Sequence, residues 1–256
     1  MADIINLKQK LAQRRLTIGS WLSWGFSPVT EIMAKAGFDW LVVDMEHTAI
    51  DYAEAMQMIQ TIELAGCVPL VRVGDNDPLI IKRVLDSGAH GILVPMINSA
   101  EEARRAVAAA YYPPKGTRGV GLSRAQDYGV GFPAYRERAL EQTVVIVQIE
   151  HIRAVENLEA ILAVDGVDGF IIGPYDLSGS LNQPGNFDHP DVREALGRVN
   201  SVMHDSPKPG GYHVVATNQE ELRKRIDEGY KFIAYGDDMV MFAEKVKMEK
   251  EFLQSL

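Results

Sequence analysis

The stretch V-V-I-V-Q-I-E at residues 144–150, followed by F-I-I-G-P-Y-D-L-S at residues 170–178, decides the fold. Both stretches begin as apolar, β-branched runs, and a carboxylate follows each run closely, Glu150 in the first and Asp176 in the second. Apolar residues between the runs recur at helical spacing, so the order is strand, helix, strand, the unit of a parallel sheet. Neighbouring strands lie about 4.8 Å apart. We therefore expect Glu150 and Asp176 to lie within reach of one ion.

Two carboxylates at one sheet edge suit a hard divalent cation. Mg²⁺ or Mn²⁺ prefers few protein ligands, keeps bound water and takes an anionic substrate as a further ligand. We interpret the pair as a metal site. The simpler interpretations are that Glu150 caps the helix predicted at 153–163 and that Asp176 is a turn residue within G-P-Y-D.

The composition is that of one globular domain. The chain has 256 residues, of which 46% are hydrophobic and 24% charged, enough for one large core. A net charge of −9 without any lysine or arginine run argues against a nucleic-acid partner. The single Cys67 excludes an intrachain disulfide and fits a reducing compartment. No signal-peptide core or membrane span is evident, so we expect a cytoplasmic protein with no membrane contact.

Apolar runs alternate with amphipathic segments along the whole chain. Strands are predicted at residues 17–23, 39–44, 68–73, 90–96, 144–149, 169–173, 210–215 and 231–236. Helices are predicted at 28–36, 51–65, 77–87, 99–110, 153–163, 190–203, 218–228 and 239–254. This pattern predicts one α/β domain over residues 1–256, a (β/α)8 TIM-type barrel. The rival is a doubly wound nucleotide-binding sheet, but Gly119-x-Gly121-x-x-Arg124 lacks the third glycine of that fingerprint.

One stretch, residues 111–143, is irregular and rich in glycine and proline. Loops of this length in compact domains are usually functional or mobile. We expect this one to follow the fourth strand on the face of the barrel where sites are built.

A barrel places catalytic groups at the carboxyl ends of its strands. The polar residues predicted there are Asp44, Glu46, His47, Arg72, Gln148, Glu150 and Asp176. Taken singly, His47 could be a solvated loop residue, Arg72 half of a structural salt bridge and Asp44 a helix cap. Their convergence on one face favours a catalytic interpretation.

The joint arrangement has a chemical meaning. A metal held by Glu150 and Asp176 would let a 2-oxo acid chelate through its carbonyl and carboxylate oxygens. Arg72 would donate to the same oxygens. His47, oriented by Asp44, would move protons near neutral pH. No lysine closes a predicted strand, so a Schiff-base mechanism is less favoured.

Several ordered motifs carry a resemblance that spans essentially the whole chain. They are A-G-F-D-W-L-V-V-D-M-E-H at 36–47, V-R-V-G-D-N-D-P-L-I-I-K at 71–82, L-V-P-M-I at 93–97, Y-P-P-K-G-T-R-G-V-G at 112–121, V-Q-I-E at 147–150 and G-V-D-G-F-I-I-G-P-Y-D-L-S at 166–178. The chain resembles the HpcH/HpaI aldolases, metal-dependent class II pyruvate aldolases of the phosphoenolpyruvate/pyruvate barrel superfamily.

The resemblance implies a reaction and a set of roles. The implied reaction is reversible cleavage of a 4-hydroxy-2-oxo acid to pyruvate and an aldehyde through a metal-stabilised pyruvate enolate, with Mg²⁺, Mn²⁺ or Co²⁺ as cofactor. The implied roles are metal ligation by Glu150 and Asp176, pyruvate binding by Arg72 and Gln148, acid/base chemistry by His47 with Asp44, and contact of the Tyr175 and Asp176 backbone with the substrate carboxylate. Family members exchange the C-terminal helix between subunits and form hexamers, so we expect the same of residues 239–256.

Two departures from the family pattern bear on the aldehyde. The segment at 122–132 reads L-S-R-A-Q-D-Y-G-V-G-F, and the seventh strand carries the polar Tyr212 and His213. We expect the loop 116–135, including Arg124, to bind the aldehyde and to favour a hydroxylated, sugar-derived one. The alternatives are a decarboxylase or carbon–carbon lyase acting on a related oxo acid or acyl-CoA ester, and a binding protein without turnover.

Overall fold

A computed structural model describes residues 6–256, in which eight parallel strands close into a barrel in sequence order. The strands are β1 Thr17–Leu22, β2 Trp40–Asp44, β3 Val68–Arg72, β4 Gly91–Val94, β5 Val144–Ile149, β6 Gly169–Ile172, β7 Gly210–Val214 and β8 Phe232–Asp237. The predicted (β/α)8 barrel is confirmed. Residues 1–5, part of the N-terminal stretch that we compared with a signal peptide, lie outside the described residues.

Helices surround the barrel. They are α1 Leu7–Ala12, α2 Ser27–Ala34, α3 Tyr52–Leu64, α4 Pro78–Asp86, α5 Ala100–Ala110, α6 Phe132–Gln142, α7 Ile152–Glu156, α8 Leu158–Leu162, α9 Pro174–Ser180, α10 Pro190–Asp205, α11 Gln219–Asp227 and α12 Asp238–Gln254. Asp77 and Asn218 begin α4 and α11 as predicted, because each side chain accepts hydrogen bonds from two first-turn amides. None of the helices between residues 6 and 256 has the length and apolar character to cross a membrane.

Successive side chains along each strand point alternately into the barrel interior and towards the surrounding helices. The interior cluster includes Trp40 and Val42 of β2 and Leu70 of β3, and Trp40 stacks on Phe232 with ring centroids 4.0 Å apart. Gly19 makes room for this stack, since a Cβ there would lie 2.1 Å from the Trp40 ring. The same two-residue period continues upward and ends four of the interior rows in a polar residue. The rows end in Asp44, Arg72, Gln148 and His213.

The amino ends of the strands form the lower end of the barrel, which α1 closes. Lys8 of α1 donates hydrogen bonds to the Thr143 carbonyl and the Tyr111 hydroxyl, both at 2.7 Å. It also pairs with Asp168, which lies just before β6, at 2.8 Å. These contacts anchor the N-terminal helix to the end of the barrel opposite the carboxyl termini of the strands.

The expected position of residues 111–143 was wrong. The stretch follows α5 rather than β4, and its last part is the helix α6. Arg118 pairs with Asp86, the final residue of α4, at 2.6 Å. Because barrel helices run antiparallel to the strands, their carboxyl ends lie at the lower end of the barrel. The segment from Tyr111 to Gly131 is therefore packed against the lower end, away from the carboxyl ends of the strands.

Candidate active site

A cavity of about 540 Å³ opens at the carboxyl ends of the strands. The strand residues that line it include Trp21, Arg72, Gln148, Ile171 and His213. The loops and helices that follow β6 and β7 supply the remaining wall, which includes Gly173, Pro174, Tyr175, Asp176, Phe187, Ala216, Asn218 and Glu221. Four of the predicted site residues, Arg72, Gln148, Tyr175 and Asp176, thus border one space.

Arg72 is held in a fixed orientation at the floor of this cavity. Its Nε and Nη2 donate to the two carboxylate oxygens of Asp44 at 2.8 and 2.6 Å. Its guanidinium carbon lies 4.3 Å from the centre of the Trp21 ring, which gives a cation–π contact. Arg72 Nη1 also lies 3.1 Å from Glu46 Oε2. Two carboxylates and an indole thus set the plane of the guanidinium before any substrate binds.

The expected pairing of Asp44 with the His47 imidazole is not found. Asp44 binds Arg72, and its Oδ1 also accepts the backbone amides of Glu46 and His47 at 3.0 and 3.4 Å. The carboxylate nearest the imidazole is Glu46, with 3.6 Å between His47 Nε2 and Glu46 Oε2. The reason is the register, which places Arg72 directly opposite Asp44 on the neighbouring strand. The His47 side chain is 66% exposed.

Glu46 is a functional candidate that the sequence interpretation placed at the strand end without a role. Its Oε2 is buried and lies between Arg72 and His47 without a well-formed hydrogen bond. Burial raises the pKa of this carboxyl above its ordinary value, although Arg72 beside it acts in the opposite direction. Glu46 therefore links the cation at the cavity floor to the exposed imidazole.

Glu150 is buried at the end of β5 and already has two hydrogen-bond donors. Its Oε1 accepts the Met96 amide at 2.7 Å, and its Oε2 accepts the Gln148 side-chain amide. Gly173 permits this position, since a Cβ there would lie 2.9 Å from Glu150 Oε2. Burial raises the pKa of Glu150, and the nearby charge of Asp176 raises it further.

The donor set fits a hard divalent cation that keeps several water ligands. Glu150 and Asp176 are close enough for their charges to interact, and a cation between them would relieve that repulsion. The Gln148 Oε1 atom is buried beside Glu150 and has no partner among residues 6–256, so a water molecule bound there would find an acceptor. No group of three or more His, Cys, Asp or Glu side chains arranged for a metal occurs in the described part of the chain. Two carboxylates with water as the remaining ligands are a donor set that Mg²⁺ accepts.

Tyr175 and Asp176 lie in the first turn of α9, which begins at Pro174 directly after β6. No side chain caps this helix. The Tyr175 ring is 62% exposed and meets Phe187 edge-to-face, with centroids 5.0 Å apart. The ring forms part of the cavity rim.

Arg124 is not brought to the cavity. It pairs with Glu63 in the last turn of α3, and its Nη1 donates to the Ser87 carbonyl at 3.3 Å. Both partners lie at the lower end of the barrel. Within this chain, Arg124 anchors the segment that follows α5.

The two polar residues of β7 have different surroundings. His213 lies in the interior row and lines the cavity, with its ring 5.3 Å from that of Trp21. Tyr212 also borders the cavity, but its ring packs against the helix-facing core, between Tyr230 and the Arg225 guanidinium, which lies 4.0 Å from its ring centre. Trp21 was not identified as a site residue from the sequence, because a tryptophan within an apolar strand is usually part of the hydrophobic core.

Comparisons with known proteins agree with this geometry. The HpcH/HpaI aldolase/citrate lyase family model matches residues 18–244. A 5-keto-4-deoxy-D-glucarate aldolase of Salmonella gallinarum is 38% identical over 236 residues, which cover 92% of this chain and 91% of the relative. An HpcH/HpaI aldolase/citrate lyase family protein from Burkholderia cenocepacia superimposes with a TM-score of 0.91 at 33% identity, covering 97% of this chain and 98% of its own.

A more distant structure shares the fold alone. The citrate lyase beta subunit of M. tuberculosis, complexed with oxaloacetate and magnesium, has a TM-score of 0.60 at 13% identity and covers 90% of this chain and 95% of its own. The sequence match and the barrel geometry lead to one conclusion: the chain belongs to the HpcH/HpaI aldolase/citrate lyase family of carbon–carbon lyases.

Proposed function

We propose that the protein is a class II aldolase that reversibly cleaves a sugar-derived 4-hydroxy-2-oxo acid to pyruvate and an aldehyde. The observation that carries the proposal is the group formed by Arg72, Gln148 and Asp176, which border one cavity, with Glu150 directly behind Gln148. An acidic pair, an oriented guanidinium and a side-chain amide match the groups of a 2-oxo acid. The 38% identity to a 5-keto-4-deoxy-D-glucarate aldolase supports a sugar-acid substrate.

The pyruvate half of the substrate binds at the floor of the cavity. Arg72 has five N–H donors, of which Asp44 takes two, so donors remain for the oxo and carboxylate oxygens. The guanidinium is already oriented by Asp44 and Trp21 and need not reorganise as negative charge develops on the oxo oxygen. The first-turn amides of Tyr175 and Asp176 are available to the substrate carboxylate.

Glu150 and Asp176, whose charges interact, would hold the divalent cation, Mg²⁺, Mn²⁺ or Co²⁺. Such an ion, when bound, supplies Lewis-acid polarisation of the substrate oxygens. The contribution of the chain is to keep Glu150 in place through the Met96 amide and Gln148. Gly173 keeps the approach to Glu150 clear.

His47 moves the proton of the 4-hydroxyl group. Its imidazole is exposed to solvent beside Glu46, so it can exchange protons with water. Asp44 acts through Arg72 and through the backbone of the loop that carries His47 rather than on the imidazole itself. Glu46 lies between the two groups and is the carboxylate placed to stabilise a protonated His47.

The active protein is a cytoplasmic homo-oligomer, a hexamer, in which α12 is exchanged between subunits. Asp238 is the one buried residue that α12 contributes within its own chain. Its large apolar side chains Phe242, Val246, Met248, Phe252 and Leu253 are all more than half exposed. Such a helix needs a partner surface, and a second subunit supplies it.

The proposal is tested by incubating the metal-loaded protein with 5-keto-4-deoxy-D-glucarate and other 4-hydroxy-2-oxo acids. We expect pyruvate release coupled to oxidation of NADH by lactate dehydrogenase, and exchange of the methyl protons of added pyruvate in deuterated water by NMR. Cleavage of acyl-CoA esters or release of carbon dioxide without pyruvate would instead support the alternative lyases. Binding of pyruvate without proton exchange would indicate a non-catalytic protein.

A further inference from the structure

The groups proposed for pyruvate leave one side of the cavity without a role. Arg72, Gln148, Glu150 and Asp176 all lie at β3, β5 and β6 or directly after them. The opposite side is formed by β7 and by the segment that follows it, and the loop predicted to bind the aldehyde lies at the lower end of the barrel. Within this chain, β7 and the segment that follows it are therefore the residues that would meet the aldehyde half.

His213 is the interior residue at the upper end of β7, and its tautomer can be assigned. Its Nε2 lies 3.1 Å from the Gly236 carbonyl oxygen. A carbonyl oxygen only accepts hydrogen bonds, so the proton is on Nε2 and Nδ1 carries a lone pair. No partner for Nδ1 is found among residues 6–256, and this atom is not among their fully enclosed polar atoms. The ring thus offers one free acceptor.

The imidazole stays neutral at physiological pH and cannot attract an anion. Burial lowers the pKa of His213 to about 4, and the carbonyl of Gly236 only partly offsets this effect. Contact with the Trp21 ring further restricts the orientation of the imidazole. A fixed acceptor of this kind matches a hydroxyl group, which can donate a hydrogen bond, rather than a carboxylate, which cannot.

The cations on this side of the cavity are already paired with carboxylates. Arg72 is the one lysine or arginine among the described residues that line the cavity, and Asp44 and Glu46 already pair with it. Arg225, behind β7, is paired with Glu221 and with Glu228. Among the described residues, selectivity on the β7 side therefore rests on a hydrogen bond to His213 rather than on an unpaired cation.

We propose that His213 determines selectivity for the aldehyde half of the substrate, accepting at Nδ1 a hydrogen bond from a hydroxyl group of a hydroxyaldehyde. The inference rests on the proposed aldolase function and names the substrate class of that site. A site built to bond a hydroxyl rejects an analogue that lacks it, because the bound analogue covers the acceptor and leaves it unpaired.

The test compares two aldehydes that differ by one hydroxyl, glycolaldehyde and acetaldehyde, as partners for pyruvate in the synthetic direction. The quantity measured is the ratio of their kcat/KM values. In wild-type protein we expect glycolaldehyde to be preferred, and His213→Leu to reduce the ratio about five- to tenfold, as expected for one neutral hydrogen bond. His213→Asn, whose Oδ1 can replace Nδ1, should retain most of the preference, whereas His213→Gln should not.

A matched control and a separate readout make the test decisive. His204→Leu makes the same change at an exposed position in the last turn of α10, away from the cavity, and should leave the ratio as in wild type. If wild-type protein neither exchanges pyruvate protons nor releases pyruvate, the proposed function fails. If exchange is present and His213→Leu leaves the ratio unchanged, or if His204→Leu lowers it equally, the role of His213 is refuted while the aldolase function stands.

Discussion

Asp44 and Arg72 face each other across the β2–β3 register, and the guanidinium binds both carboxylate oxygens. The pair is nearly enclosed, with 5% and 13% of the two side chains exposed. Breaking one side of a buried ion pair typically costs about 3–5 kcal/mol of stability, because the other charge stays buried without a partner. The pair therefore serves both the stability of the barrel and the orientation of Arg72.

Arg72→Lys should reduce kcat far more than the retained charge suggests. Lysine cannot bind both oxygens of Asp44 and present a planar donor to the substrate at the same time. The loss of one preorganised donor costs about 3–4 kcal/mol, or about 100- to 1000-fold in kcat. The kcat of aldol cleavage and the rate of pyruvate proton exchange should fall together in Arg72→Lys. Arg198→Lys, in an exposed ion pair, should change neither quantity. Exchange close to wild type in Arg72→Lys would mean that the residue is structural.

Divalent metal should stabilise the protein as well as activate it. A ligand that binds the native state alone raises the melting temperature, so Mg²⁺ or Mn²⁺ should raise it and a chelator should reverse the effect. Glu150→Gln should abolish the increase, and Glu159→Gln, an exposed control, should retain it. Calorimetry of both variants with and without metal measures the change in melting temperature. An undiminished increase in Glu150→Gln would place the metal elsewhere.

Borohydride should not trap a covalent adduct with pyruvate. Lys8 contacts the lower end of the barrel, and the described residues that border the cavity include no lysine. Without a lysine at the site no Schiff base forms. Mass spectrometry after incubation with pyruvate and borohydride should therefore find the unmodified chain. A mass increase located on a lysine would contradict the metal-dependent mechanism.

Glu63→Gln should cost stability at neutral pH and little at low pH. Burial acts to raise the pKa of Glu63, but hydrogen bonds from His90 and Arg124 outweigh it and lower the value from 4.5 to about 2. A lowered carboxyl pKa stabilises the fold above pH 4.5, and this contribution is lost as the pH falls towards 2. Allowing for partial exposure, we expect a loss of about 1–2 kcal/mol at pH 7.

Denaturant unfolding of wild-type protein and Glu63→Gln at several pH values measures this loss. The difference between the two should shrink below pH 4.5. Aldehyde selectivity should be unchanged, since Glu63 and Arg124 lie at the lower end of the barrel. A difference that grows on acidification would contradict the assignment.

Charge on the apolar face of α12 should dissociate the oligomer. Phe242→Asp and Phe252→Asp each place a carboxylate where 58% of an aromatic side chain is exposed in the single chain. If a second subunit covers this face, either change should give smaller species by light scattering, as should truncation after Asp238. Lys247→Glu, which changes charge without removing an apolar side chain, should retain the oligomer. Unchanged mass in both phenylalanine variants would show that α12 is not the interface.

The strands could be predicted closely because each is an apolar, β-branched run that ends in a turn signal. All eight predicted strands agree with the structure to within two residues at either end. Helix α6 was missed because Tyr135 and Ala139 are its only buried residues among those described, and its apolar period is correspondingly weak. The helix predicted at 153–163 is broken at Asn157, where two short helices meet.

Within the site, the sequence predicts which residues lie at the carboxyl end of a strand. It does not predict which side chains pair across neighbouring strands. The carboxyl ends of β5 and β6 place Glu150 and Asp176 close together, as expected. The partner of Asp44 depends on the register between β2 and β3, which no local pattern specifies. The position of Arg124 depends on the packing of its loop against the carboxyl ends of α3 and α4.

The anchoring of residues 111–131 beneath the barrel has an evolutionary consequence. Arg118 and Arg124 bind the ends of α4 and α3, whereas the reacting groups sit at the far ends of the strands. Within one chain, then, substitutions that tune heat resistance and substitutions that tune substrate preference fall on different surfaces. Such a protein can acquire a new aldehyde partner through β7 and its following loop without first losing the contacts that keep it folded.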